Sequence, residues 1–112
     1  MTVPPQVLVA GSQLTTSAAT YYTAPANTKA IIHNMSLCNS TANAVTVTVH
    51  RVATGATETA SNMVISARPL APGETYRCPE MIGKVILATG TIRAAAQTVS
   101  TISLQVDGVE VT

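Results

Sequence analysis

The stretch Ala44-Val45-Thr46-Val47-Thr48-Val49-His50-Arg51-Val52 decides the fold. Val45, Val47 and Val49 alternate with Thr46, Thr48 and His50, a period of two that places one set on each face of a β-strand. The branched Cβ of Val and Thr packs well on a pleated surface and loses side-chain freedom in a helix. The Val row therefore faces a core, and the Thr/His row faces away from it.

Toward the N-terminus, Lys29–Cys38 reads as a second long strand. Ile31, His33, Met35 and Leu37 share one face; Ile32, Asn34, Ser36 and Cys38 share the other. The link Asn39-Ser40-Thr41-Ala42-Asn43 is short and polar. It predicts an antiparallel hairpin that pairs Leu37 with Val45 and Met35 with Val47, and that sets His50 opposite Ile32. A slip of one residue would put the Val row against the polar row.

Further out, turn signals recur at Pro4-Pro5, Gly11-Ser12, Pro25-Ala26-Asn27, Gly55, Pro72-Gly73, Gly90 and Asp107-Gly108. Between them lie short strands at Gln6–Ala10, Thr20–Thr23, Met63–Ser66, Thr75–Cys78, Val85–Leu87, Thr91–Ala96 and Thr98–Val106, with Pro79 as a break. In Leu70-Ala71-Pro72-Gly73-Glu74, Pro presets φ and Gly supplies the positive φ after it. Ile102, Leu104 and Val106 point inward, and Val109 and Val111 extend the last strand. The expected fold is all-β: a two-sheet antiparallel β-sandwich over residues 20–112, jelly-roll or immunoglobulin-like, preceded by an N-terminal arm and first short strand at residues 1–19. The buried Trp of immunoglobulin domains is missing, because the chain has no Trp.

The 112 residues fit one domain. Its core is built from Val, Ile, Leu, Met and Ala, with no Phe and only Tyr21, Tyr22 and Tyr76 as aromatics, so each side chain buries little area. Hydrophobic residues make up 46% of the chain and charged residues only 10%, against roughly 25% charged in an average domain. Mean hydropathy is +0.32, yet no run approaches the ~20 apolar residues of a membrane helix. These features predict a homo-oligomer and no membrane partner; a monomer with a neutral Thr-rich surface is the plainer alternative. Lys29, Arg51, Arg68, Arg77, Lys84 and Arg93 are scattered and the net charge is +1, which argues against nucleic acid. The opening MTVPPQVLVAGSQ lacks the basic start of a signal peptide. A chain kept in the cytoplasm would hold Cys38 and Cys78 as free, buried thiols.

The sequence offers no catalytic, cofactor-binding or metal-binding set, and the expectation is a protein that is not an enzyme and needs no cofactor. His33 and Cys38 fall on opposite faces of one strand, no C-x-x-C occurs, and Cys38 and Cys78 are far apart in sequence. Nothing beside either Cys would lower its pKa. Glu58, Glu74, Glu80, Asp107 and Glu110 sit in no motif.

The segments TYYTAPANTKAIIHNMSLCNST (20–41), AVTVTVHRV (44–52), LAPGETYRC (70–78) and GTIRAAAQTVSTISLQVDGVEV (90–111) together resemble a group of small bacteriophage virion proteins. The resemblance covers nearly all of the chain from Thr20 onward and is carried by turn and strand signatures. It implies a β-sandwich subunit repeated on the particle and made in the host cytoplasm. The first expectation is a capsid decoration or cement protein bound to the major capsid protein; because such proteins often sit on local three-fold positions, the resemblance makes a trimer the first choice of homo-oligomer. The alternatives are a ring or adaptor subunit at the neck or tail, and a host-surface module that binds a glycan or receptor through Tyr21 or Tyr22.

The N-terminal arm carries the candidate assembly contacts, Val7, Leu8 and Val9. Pro4 and Pro5 cannot donate to a ladder, which keeps the first residues out of a central strand. The arm is expected to pack on a neighbouring subunit or on the shell; the alternative is an ordinary edge strand of its own sandwich.

Overall fold

Each Val/Thr-rich stretch forms a strand in the computed structural model, which describes residues 6–98 and 101–111. The described strands are β1 (Gln6–Gln13), β2 (Ala19–Thr23), β3 (Lys29–Asn39), β4 (Val45–Val52), β5 (Met63–Leu70), β6 (Thr75–Tyr76), β7 (Val85–Ile86), β8 (Thr91–Ala96) and β9 (Ile102–Val111), with one 3₁₀ turn at Ala60–Asn62. Among the described residues, no helix is long and apolar enough to cross a membrane.

The pairing is nested. β4 pairs with β5, β3 with β6 and β7, β2 with β8, and β1 with β9, all antiparallel. The chain is thus one long antiparallel ribbon that folds back on itself at residues 53–62. Rolling the ribbon adds β9 to β3 and β8 to β4. Two sheets result: β1-β9-β3-β6, with β7 also on β3, and β2-β8-β4-β5. This order is that of a jelly roll. It decides between the two sandwich topologies that alternation alone leaves open.

The expected hairpin between β3 and β4 does not form. The two strands lie in different sheets, and residues 40–44 cross from one sheet to the other. Their apolar rows do face each other, but across the core and not along a ladder. Alternation reports which face of a strand is buried, and that requirement is the same for both arrangements. Asn39 holds the crossing. It is fully buried, and its side-chain amide donates to the carbonyls of Asn43 (2.7 Å) and Leu70 (3.0 Å). Its Oδ1 accepts from the Thr41 backbone N–H and hydroxyl.

β3 also changes face part-way along. Ala30 and Ile32 point inward, then Met35, Leu37 and Asn39, because a bulge between Ile32 and Asn34 inserts His33 as an extra residue opposite β9. Ile31, expected inside, is therefore only half-buried, Ile32 is in the core, and His33 is exposed. β4 matches its reading: Val45, Val47, Val49 and Val52 are buried. The Ala71–Glu74 turn closes as read, with Gly73 at φ 75° and the Glu74 N–H bonded to the Ala71 carbonyl. Asp107-Gly108, read as a turn signal, lies instead inside β9. β6 and β7 are two pieces of one interrupted edge strand along β3, separated at the Pro79 break.

Candidate interaction surface

The fold-back at residues 53–62 is pinned onto the outer face of the second sheet. Asn62 is its anchor. The Asn62 Oδ1 accepts from the Thr59 N–H (3.0 Å) and stands 2.8 Å from His50 Nδ1, while its Nδ2 donates to the Thr57 carbonyl (2.8 Å). Since Oδ1 is an acceptor, His50 Nδ1 carries the hydrogen. This cover explains why His50, on the polar face of β4 as expected, is nonetheless buried. Beside it Arg93 pairs with Glu58 at 2.8 Å, and that hydrogen bond holds the Glu58 carboxyl below the usual carboxylate range.

Between this loop and β7 the edge of the sandwich is open. β5 reaches only as far as the His50–Met63 pair, leaving Arg51 and Val52 of β4 without a β5 neighbour. β7 lies across the gap. A cleft of about 820 Å³ results, walled by Arg51, Val52, Ala53 and Ala56 on one side and by Val85, Ile86, Leu87 and Gly90 on the other. A smaller cleft of about 470 Å³ shares Arg51, Ser61 and Asn62 and runs on to Glu80 and Lys84.

The rim is apolar. Among the described residues, four large hydrophobic side chains are exposed: Val7 (61%), Ile82 (45%), Val85 (37%) and Leu87 (61%). Three of them fall within Ile82–Leu87. At the end of the cleft the Leu87 carbonyl accepts from the Gly90 N–H, closing a turn in which Thr89 has φ 60°. A β-branched residue is strained there. Gly90, expected to supply the turn conformation, serves a different need: a Cβ on it would come within 3.0 Å of the Leu87 carbonyl oxygen.

The three sequence-derived assembly contacts are distributed unevenly. β1 pairs with β9 within its own sheet, so residues 6–13 form an edge strand of the sandwich. Val9 is in the core, Leu8 is half-buried against it, and Val7 alone is exposed. Residues 1–5, with Pro4 and Pro5, lie outside the described residues.

Several other titratable groups are engaged in structural pairs. Arg68 stacks 3.8 Å from the Tyr76 ring centre, and the Tyr76 hydroxyl donates to Glu80 at 2.6 Å. Desolvation and that carboxylate push the Tyr76 phenol up to about 12, while the same bond lowers Glu80. Tyr22 is buried and donates to Glu110; burial first, then the carboxylate, raises its pKa. Both thiols are free: Cys38 half-buried and Cys78 fully buried, where desolvation pushes its thiol up to about 12. Among the described residues, no three His, Cys, Asp or Glu side chains gather as metal ligands would.

Sequence reading placed Val85–Leu87 on a strand but missed its exposure. The signal was available. Met81-Ile82 and Val85-Ile86-Leu87 are apolar runs without alternation, so a two-faced strand there must turn an apolar side chain outward unless both faces are covered. No protein-family model, known protein or solved structure matches this chain.

Proposed function

We propose that this protein is a structural subunit of a bacteriophage particle, and specifically a decoration or cement subunit that self-associates and binds the major capsid protein. The observation that carries the reading is the apolar rim Ile82–Leu87 beside an open sheet edge, in a chain whose surface has few charges to keep such a rim in water. The resemblance of the segments from Thr20 onward to small virion proteins supports it. The jelly roll adds fold-level support, since capsid proteins use it among other families.

The host-glycan reading is weakened by its aromatics. Tyr22 is buried, Tyr21 is half-buried with its hydroxyl accepting the Thr15 N–H, and Tyr76 is stacked under Arg68. None offers an open ring platform to a sugar. A neck or tail ring subunit would use the same rim on different neighbours.

Antibody labelling of purified particles, with mass spectrometry of their protein content, tests the proposal. Label spread over the capsid supports a decoration subunit. Label confined to one vertex transfers the reading to neck or tail, and absence from purified particles overturns it.

A further inference from the structure

We infer that the cleft beside β7 receives the N-terminal segment, Met1 to Pro5, of a second copy of this chain. The inference rests on the self-associating part of the function proposed above and does not depend on where in a particle the subunit sits.

Three observations lead there. First, the exposed large apolar side chains fall at two places only among the described residues: Val7 at the base of the segment, and Val85 and Leu87 in the cleft wall with Ile82 just before them in the chain. One contact between the two places covers all four. Second, the two places lie on opposite edges of the same sheet. Gln6 is level with Gly108 on β9, which is level with Ile32 on β3, whose backbone bonds to Lys84 and Gly83 beside β7. They are at the same end of the sheet but three strand spacings apart, about 14 Å. The pairing of Val7 with Asp107 and of Val85 with Ile31 fixes them there, so a subunit cannot bring its own Val7 to its own cleft, whereas a second copy can. Third, the chemistry matches. MTVPP carries no charged side chain and offers Met1, Val3 and two prolines to a cleft whose apolar wall is Val52, Ala53, Val85 and Leu87, with Arg51, Ser61 and Asn62 as its polar part.

A donor edge and an acceptor edge on opposite sides of one subunit make a head-to-tail contact. Such a contact closes into a ring when its rotation allows. A closed ring such as a trimer is compatible with a contact of this kind.

Three proteins test it by light scattering after size-exclusion chromatography: the full chain, the chain lacking residues 1–5, and Leu87→Asp. Leu87 is exposed in the single subunit, and circular dichroism verifies that both variants keep their strand signal. The full chain should be oligomeric. Each variant alone should associate about tenfold or more weakly. Mixed together, the two variants should form a complex, because one still supplies the segment and the other still supplies the cleft. A full chain that stays monomeric overturns the self-associating reading itself. An oligomer that survives Leu87→Asp overturns the cleft as the receptor. An oligomer that survives removal of residues 1–5, or two variants that do not complement, overturns the segment as the occupant.

Discussion

Gly108 faces the carbonyl of Ile31 so closely that a Cβ built on it would lie 2.2 Å from the Ile31 oxygen. The approach has a cause in the strands on either side. β3 carries an extra residue, His33, between its pairs with Gly108 and Asp107, and β1 carries an extra residue, Leu8, between its pairs with Asp107 and Val106. Bulges on both flanks of one strand bend and twist the sheet locally. Leu8 Cδ1 occupies the space beside Gly108 that a side chain would otherwise take.

Gly108→Ala should therefore cost about 3 kcal/mol or more, because the clash is with backbone on one side and has no flexible side chain to displace. Gly55→Ala is the control: its Cβ would meet nothing within 4 Å, and only its φ of 75° opposes the change, a cost of about 1 kcal/mol. Urea unfolding of the two variants measures the difference. Equal costs would mean that β3 and β9 are not this close.

Neighbouring residues on β4 give the sharpest contrast in burial. Val47 is 1% exposed, and Thr48 is on the other face with its hydroxyl accepting the Ala67 N–H at 3.0 Å. Val47→Asp should prevent folding, since an unpaired buried charge costs several kcal/mol against a net stability of roughly 5–15. Thr48→Asp keeps an acceptor for Ala67 and should fold. Circular dichroism and solubility distinguish the two, and equal behaviour would reverse the assignment of faces.

That assignment was legible in the sequence because burial on one face leaves a pattern in the residues themselves. The inward rows of β4 and of Ile102, Leu104 and Val106 in β9 follow from period alone. Partner choice leaves no such pattern. The Val row of β4 looks the same whether Leu37 lies beside it or across the core, and what separates the cases is the Asn39 bonding that joins residues 41 and 43 to Leu70. The face change at His33 was hidden for a similar reason: a bulge is selected by the strand opposite, here at Gly108, which read locally as a turn. The cleft was partly legible, in the unbroken apolar run Val85-Ile86-Leu87. Its other wall depends on how the 53–62 loop folds back over His50, which rests on single side chains such as Asn62 and not on a periodic signal.

The two thiols should separate by reactivity and by pH. Cys38 is half-buried and Cys78 has no exposed surface, so a thiol reagent should label Cys38 in the folded protein and Cys78 only on unfolding. Burial holds the Cys78 proton up to about 12, against 9.0 for a free thiol. Between those values the unfolded chain has released a proton that the folded chain keeps, so stability falls as pH rises through that window. Tyr76, also raised to about 12, acts in the same direction. Urea midpoints at increasing alkaline pH should decline, and less steeply in Cys78→Ala. Rapid labelling of both thiols under native conditions would contradict the burial of Cys78.

Removal of the whole first strand should affect the fold, beyond any effect on association. β1 pairs with β9 from Gln6 to Gln13 and places Val9 in the core, with Leu14 fully buried just after it. Deleting residues 1–11 removes the Val9 side chain, worth about 2 kcal/mol on its own. It also uncovers one edge of β9, whose Leu104 and Val106 lie in the core next to β1, and it takes away Leu8, which packs beside Gly108. These losses together reach a large fraction of a typical domain's net stability. The chain lacking 1–11 should therefore unfold at clearly lower urea concentration or fail to fold, while the chain lacking only 1–5 should keep its fold and lose only the part of the midpoint that association contributes, since every described residue of β1 remains. The comparison separates two roles that one long deletion would merge: β1 as part of the sandwich, and the residues before it as the part inferred to meet a neighbour. If the 1–11 deletion retains the midpoint of the full chain, β1 contributes little to the sandwich and the whole arm, including Val7, Leu8 and Val9, returns as the unit that engages another subunit.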